Sequence, residues 1–359
     1  MSSIDSYNVL TERLGYPGSV RLQRVLEKLM SPDEAEIAML LPATTLEISQ
    51  KLGISEEKVK EKISWLHKKG AIVSTGRGNF FARDIHQIRN ASASMPSLDN
   101  VLMPEFADLW EDFSQAEWYP VLAQKARHRA EQGLAPASRI IPARKALEGS
   151  PDLLPGEDIR AMIDKAEVMA IAPCPCRRQT RKCDKLIMAC FQFNKGAEYT
   201  IGRGTGRELT KTEAIQVFND IEDNGLIHTV GYDPNFTTIC NCCKDCCQLL
   251  YPLFKYNLLS QGLSKSRFEA AVEQATCDGC QDCVERCQFD AIEMRKAPGS
   301  KRMKAFVKAE KCWGCGLCVI ACPAKSIKMD MARPQEFIPQ VFTHSSAGRE
   351  ITPEDIHRH

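Results

Sequence analysis

The chain has 359 residues, enough for two or three domains. Its 47 basic and 46 acidic residues leave a formal charge of +1, so no overall field commits it to nucleic acid or to a membrane surface. Seventeen cysteines would suggest disulfides in a secreted chain, but Met1-Ser2-Ser3-Ile4-Asp5 has neither the basic nor the apolar region of an export signal. No apolar run approaches the ~18 residues of a membrane span. The expectation is a cytoplasmic protein, without a transmembrane segment, whose reduced thiols hold metal.

Residues 1–90 read as a winged-helix-like domain. Ser31-Pro32-Asp33-Glu34 is a capping box with proline at the first helical position, opening a helix toward Leu41. Thr44-Thr45-Leu46-Glu47 repeats the signal and predicts a short helix ending near Gly53. Ser55 caps a longer helix, Glu56 to Lys69, with Val59, Ile63 and Leu66 as its buried stripe. Gly70 stops it, and Ala71 to Thr75 followed by Asn79 to Ala82 reads as a two-stranded wing. This order resembles a winged helix-turn-helix. The domain carries 13 Lys/Arg against 11 Asp/Glu, whereas a groove-reading domain shows a pronounced basic face. Lys58, Lys60 and Lys62 alternate with Glu56, Glu57 and Glu61 on the longer helix, the pattern of a solvated face laced with ion pairs. DNA binding is therefore disfavoured, and docking of a protein partner or a structural role is expected.

Residues 91–165 read as a helical linker region whose aromatics, Phe106, Trp110, Trp118 and Tyr119, are packing residues. Ala135 to Ile141 approaches a short strand ended by Pro142, and a helix is expected over 156–166.

Residues 166–265 form a central α/β cysteine-rich domain. Strand Val168 to Ala172 delivers the chain to Cys174, Cys176, Cys183 and Cys190, among which lie Arg177, Arg178, Arg181, Lys182 and Lys185. Cationic neighbours lower thiol pKa and offset the charge of a thiolate-bound cluster, raising its potential. A second group holds Cys240, Cys242, Cys243, Cys246 and Cys247. Five thiols so crowded cannot all serve one metal, because adjacent side chains point apart. A third iron–sulfur cluster bridging the groups is favoured, with a structural zinc or a metal-free redox dithiol as alternatives. Spacing does not decide which four bind. Between the groups, Thr210-Lys211-Thr212-Glu213 caps a helix ending at Asn224-Gly225, and Leu226 to Val230 reads as a strand. Gly202-x-Gly204-x-Gly206 lacks the context of a phosphate loop and reads as a turn. His228 reads as a core histidine.

Residues 266–332 carry the most specific pattern. Cys277-x2-Cys280-x2-Cys283-x3-Cys287 recurs as Cys312-x2-Cys315-x2-Cys318-x3-Cys322-Pro323. Three cysteines two residues apart wrap three corners of a [4Fe–4S] cubane, and the fourth reaches the neighbouring one. Cluster 1 is thus assigned Cys277, Cys280, Cys283 and Cys322, and cluster 2 Cys312, Cys315, Cys318 and Cys287. A zinc ribbon would need only four ligands in two pairs. Gln288 stands where the second repeat has Pro323. The basic hairpin between the repeats, around Pro298-Gly299-Ser300, is either a solvated loop or a docking surface for an acidic redox partner. Residues 333–359 form a tail of no evident role.

Cys174-Pro175-Cys176-Arg177, the capped helix after Gly206-Arg207, Gly225-Leu226-Ile227-His228 and Ile239-Cys240-Asn241-Cys242-Cys243 sit between a winged helix and a ferredoxin repeat. The whole resembles a family of multidomain 4Fe-4S dicluster ferredoxin-type proteins of anaerobic bacteria and archaea. The resemblance implies electron transfer beside a larger oxidoreductase, and names no partner. The expectation is an α+β multidomain protein that relays single electrons, with no catalytic residues of its own. Two alternatives stand beside it: a redox-sensing winged-helix transcription regulator, and an oxidoreductase acting at the central cysteines.

Overall fold

The structure, a computed structural model, describes residues 5–95, 103–232, 236–297 and 302–338. It mixes helices with one large and several small sheets. Its strands are β1 (Ile72–Thr75), β2 (Gly78–Phe81), β3 (Ser138–Ile140), β4 (Met169–Pro173), β5 (Met188–Phe193), β6 (Arg207–Glu208), β7 (Ile227–Gly231), β8 (Thr238–Cys242), β9 (Leu263–Ser264), β10 (Phe268–Val272), β11 (Ile292–Lys296), β12 (Met303–Val307) and β13 (Ile327–Met331).

The N-terminal helices form where their caps lie. Ser31 and Thr44 each make a capping box, opening Pro32–Leu40 and Thr45–Leu52. Ser55 caps Glu56–Lys69, and Gly53 and Gly70 end their helices in the left-handed conformation that costs glycine least. β1 and β2 pair antiparallel behind the last helix. A first helix, Ser6–Arg13, is capped by Asp5 and has no counterpart in the expectation.

The core of this unit contains more than its own helices. Leu22, Val25, Leu26, Ile48, Val59 and Leu66 pack with Phe106, Trp110 and Phe113 from helix Met103–Phe113. The stretch expected as a linker therefore supplies the unit's largest buried side chains. After one π-helical turn, Ser114–Trp118, which re-aims the side chains that follow, the chain continues as helix Tyr119–Glu131.

The central sheet has the order β6-β4-β5-β8-β7-β3-β9 and is antiparallel except for β3 beside β9. One face is covered by helices Ile159–Lys165 and Lys211–Asp223, which bury Met162, Ile163 and Phe218 against Ile171, Phe191 and Phe193. Helix Pro175–Thr180 turns away from the end of β4. It is tied to the N-terminal unit where Arg89 Nε donates to Gln179 Oε1 at 2.9 Å and Gln179 Nε2 donates to Glu111 at 3.0 Å.

Arg203 makes a second tie. From within the glycine turn it donates to the carbonyls of His67 and Lys68, 3.0 and 2.9 Å away, and to that of Ala91 at 2.7 Å. A cation at the C-terminus of Glu56–Lys69 adds donors to the last-turn carbonyls and interacts favourably with the helix dipole. The arginine of the Gly-x-Gly-x-Gly stretch is thus engaged by backbone, not presented for a phosphate.

In the C-terminal region β10 pairs with β13 and β11 with β12, one antiparallel pair near each cysteine repeat. The tip of the basic hairpin, around residue 299, lies outside the described residues. On its arms Lys308 pairs with Glu293 at 2.5 Å, and Arg295 contacts the same carboxylate. Lys304 donates to the carbonyls of Gln274 and Cys277 at 2.7 and 2.6 Å. Much of that charge is therefore spent within the fold. Among the described residues no helix is long and apolar enough to cross a membrane.

Candidate metal centres

Each cysteine repeat folds as a tight loop leading into a short helix, Asp282–Arg286 in the first and Leu317–Ile320 in the second. The loops turn at matching positions with positive φ: Gly279 (+82°) and Gln281 (+75°), then Gly314 (+69°) and Gly316 (+78°). Glycine is needed at Gly279 and Gly314 for space as well, since a Cβ there would run into the carbonyls of Met303 and Phe268.

Two hollows result. One, of about 300 Å³ including its open side, is lined by Cys277, Cys280, Cys283 and Cys322. The other, of about 360 Å³, is lined by Cys287, Cys312, Cys315 and Cys318. The fourth cysteine of each repeat thus faces the hollow of the other. Backbone N–H groups already aim at the sulfurs, Ala291 at Cys287 (3.4 Å) and Ser326 at Cys322 (3.2 Å), as around thiolate-ligated clusters. Burial pushes the Cys283 thiol up to about 11 and Cys315 up to about 12. Such sulfurs ionise when a metal takes the place of the proton. The donor set, its spread and its N–H support all fit cubanes.

The hollows differ in setting. Cys280 is exposed, so the first faces solvent. The second faces inward: Ala143 N–H donates to Cys315 O at 2.9 Å, and Phe289 and Trp313 line it while stacking at 5.6 Å. Gln288, buried beside Cys287, accepts from Lys244 N–H at 2.8 Å and donates to Gly225 O at 2.5 Å. The residue standing in place of proline is therefore a hydrogen-bonded bridge to the loop of central cysteines.

The nine central cysteines are sorted by the backbone. Cys190 on β5 sits opposite Cys240 on β8, two strands that the expectation did not include. Along β8 and the following turn the side chains part into two sets. Cys174, Cys176, Cys247, Cys242 and Cys240 form a row of neighbouring, electrostatically linked thiols, with Cys247 and Cys242 hydrogen-bonded 3.2 Å apart. Cys190 borders the row through the charge of Cys176. Cys183, Cys243 and Cys246 form a separate triad, with Cys183 3.6 Å from Cys243 and 3.5 Å from Cys246.

Two buried cations serve these sulfurs. Arg177 donates to the carbonyls of Leu186 and Asn241 at 2.8 and 2.9 Å, and its charge acts on Cys174, Cys243 and Cys242. Arg89, fully buried, bonds Gln179 and Asn90 and acts on Cys176. Among the described residues neither guanidinium has a carboxylate partner, and Nη2 of each has no hydrogen-bonding oxygen or nitrogen. A buried cation requires counter-charge, and the thiolates are the available source. Hydrogen bonds from Cys174 and then Cys247, with the field of Arg89, hold the Cys176 thiol well below the usual range. The Cys246 hydrogen bond, with Arg177 adding, outweighs burial and brings Cys243 down to about 5. Arg178 donates instead to Met95 O at 2.8 Å. His228 is buried, with Nδ1 2.6 Å from Asn241 Oδ1 and Nε2 3.4 Å from Glu222, and lies outside both thiol sets. Arg89 and Gln288 are functional candidates without a sequence signal of their own, although the missing proline marks the position of Gln288.

Residues 276–326 match the family model of the 4Fe-4S dicluster domain. No curated protein and no solved structure matches the chain. The match supports an iron–sulfur protein with a ferredoxin-like dicluster segment, and the role it suggests is electron transfer.

Proposed function

We propose that the chain is a cytoplasmic electron-transfer protein, or the iron–sulfur subunit of an anaerobic oxidoreductase complex, relaying electrons between its surface and a third, central centre. Cys277, Cys280, Cys283 and Cys322 would hold the outer cubane, and Cys312, Cys315, Cys318 and Cys287 the inner one. Members of the thiol row, Cys174, Cys176, Cys240, Cys242 and Cys247, would supply the ligands of a third, with Arg89 and Arg177 offsetting part of its charge. When bound, such clusters supply one-electron redox chemistry.

The inward setting of the second hollow carries this reading. Its Cys315 carbonyl is bonded to the central domain, and Gln288 links its Cys287 to the central cysteine loop, while Cys280 keeps the first hollow open to a partner. In the winged-helix-like unit, Lys60 pairs with Glu56, Lys62 contacts Asp33 and Lys69 pairs with Glu34, while Trp65 is 49% exposed on the same helix. Spent charges beside an exposed aromatic favour a protein partner over DNA. The test is iron and acid-labile sulfide per chain after anaerobic purification. Three cubanes predict ~12 iron and two predict ~8, at four irons each. A value near eight would remove the third cluster.

A further inference from the structure

We propose that Cys183, Cys243 and Cys246 hold a single zinc ion, distinct from the thiol row, with its fourth position open to an exchangeable ligand. The inference rests on the reading of the central domain as metal-binding, but not on a third cubane there.

Distance is the first observation. The triad sulfurs lie 3.5 and 3.6 Å from Cys183 and all within 4.8 Å of one another. Tetrahedral zinc with Zn–S bonds of about 2.3 Å separates its thiolates by about 3.8 Å. The same chain shows what sulfurs around a larger guest look like. Around the two ferredoxin hollows, and along the row, no three sulfurs gather so closely among the described residues. The triad is sized for one ion.

Charge is the second observation. Three thiolates and Zn²⁺ carry one net negative charge, and the buried Arg177 guanidinium, whose field is shared between Cys243 and the row cysteines Cys174 and Cys242, offsets part of it. So small a net charge suits a site where Cys243 is 0% and Cys246 1% exposed, packed among Ala189, Ile221 and Leu226. The third is the ligand count. Among the described residues no fourth Cys, His, Asp or Glu joins the group. Structural zinc sites are closed by four protein ligands, whereas three leave a place for water or substrate. Cys183 is the only half-exposed member, so that place is reached past it. Water is the resting ligand, and a small thiol, soft enough for the ion, is the class that displaces it.

The experiment measures zinc and iron together in the full-length, anaerobically purified protein and its variants. One zinc per chain is expected. It should be lost in Cys183→Ser and Cys246→Ser with iron unchanged, and kept in Cys247→Ser. X-ray absorption at the zinc edge of the unaltered protein, which needs no variant to fold, should give three sulfurs and one oxygen neighbour. Mercaptoacetate should convert the oxygen to sulfur. No zinc, four sulfurs before any thiol is added, no response to mercaptoacetate, or iron loss in Cys246→Ser would each overturn the proposal. The third cubane fails separately, on an iron count near eight with zinc retained.

Discussion

At the residue scale, the proposed central centres would depend on cations placed where water cannot reach. Arg177 is 2% exposed and, among the described residues, has no carboxylate partner, so its field is little screened. Replacing it by methionine keeps bulk and removes the charge. The reduction potential of the third centre should then fall, by tens of millivolts or more, because a cation that stabilised the more negative reduced state is gone. A redox titration followed by electron paramagnetic resonance reads this directly, and an unchanged potential would place Arg177 outside the centre's field. Gly314 makes a steric prediction. Alanine there combines a left-handed backbone (φ +69°) with a collision against Phe268 O. Backbone strain of roughly 1–3 kcal/mol is expected, with loss of iron from the inner hollow before the outer one. Equal iron loss from both would contradict the separate lining of the two hollows.

At the element scale, some of the architecture is written locally and some is not. Helices at Pro32, Thr45, Glu56 and Lys211 are legible because a capping box or a serine cap and a glycine stop act over three or four residues. The cysteine repeats are legible because cluster geometry dictates their spacing. The seven-stranded sheet is legible only in part: β3, β4 and β7 fall on short apolar runs, whereas β6 and β9 have two residues each and only distant partners make them strands. β5 does carry an alternation, with Ala189, Phe191 and Phe193 buried, but it lies among cysteines and arginines that invite a ligand reading instead. The division of the central thiols into row and triad depends on how β8 meets the following turn, which spacing cannot supply. Helix Met103–Phe113 shows the same limit, since nothing local reveals that it completes a core begun some eighty residues earlier. Trp110→Ala should cost about 3–5 kcal/mol, measured by denaturant unfolding of the N-terminal unit. A cost under ~1 kcal/mol would show that the helix is peripheral to that core.

At the scale of the whole molecule, buried polar side chains bridge regions that also share an apolar core, in which Ala123, Ile140, Leu250 and Leu263 pack with Phe289, Trp313 and Leu317. Arg203 fastens the end of Glu56–Lys69 to the central domain, Gln179 reaches from there to Arg89 and Glu111, and Gln288 fastens the ferredoxin region. Because the bonds of Gln288 are buried, Gln288→Ala leaves a donor and an acceptor without partners, at a cost of about 1–3 kcal/mol for each. Iron content should stay unchanged, while electron equilibration between the ferredoxin clusters and the central centre slows severalfold in rapid-freeze paramagnetic resonance. Unaltered kinetics would show that the electron takes another route.

The Gln288 bridge also breaks the symmetry of the doubled motif. Two repeats of identical cysteine spacing could in principle exchange places, each half serving as well as the other. Here the repeat ending in Cys322-Pro323 sends its last ligand to the outer hollow, where a stiff local turn suffices. The repeat ending in Cys287-Gln288 sends its last ligand to the inner hollow and has given up that stiffness for a long-range bond. On the proposed relay the molecule has polarity, with one terminal facing the world and the other wired inward. Transposing the two residues, Gln288→Pro with Pro323→Gln, would preserve every ligand and still leave the current without a fixed way in.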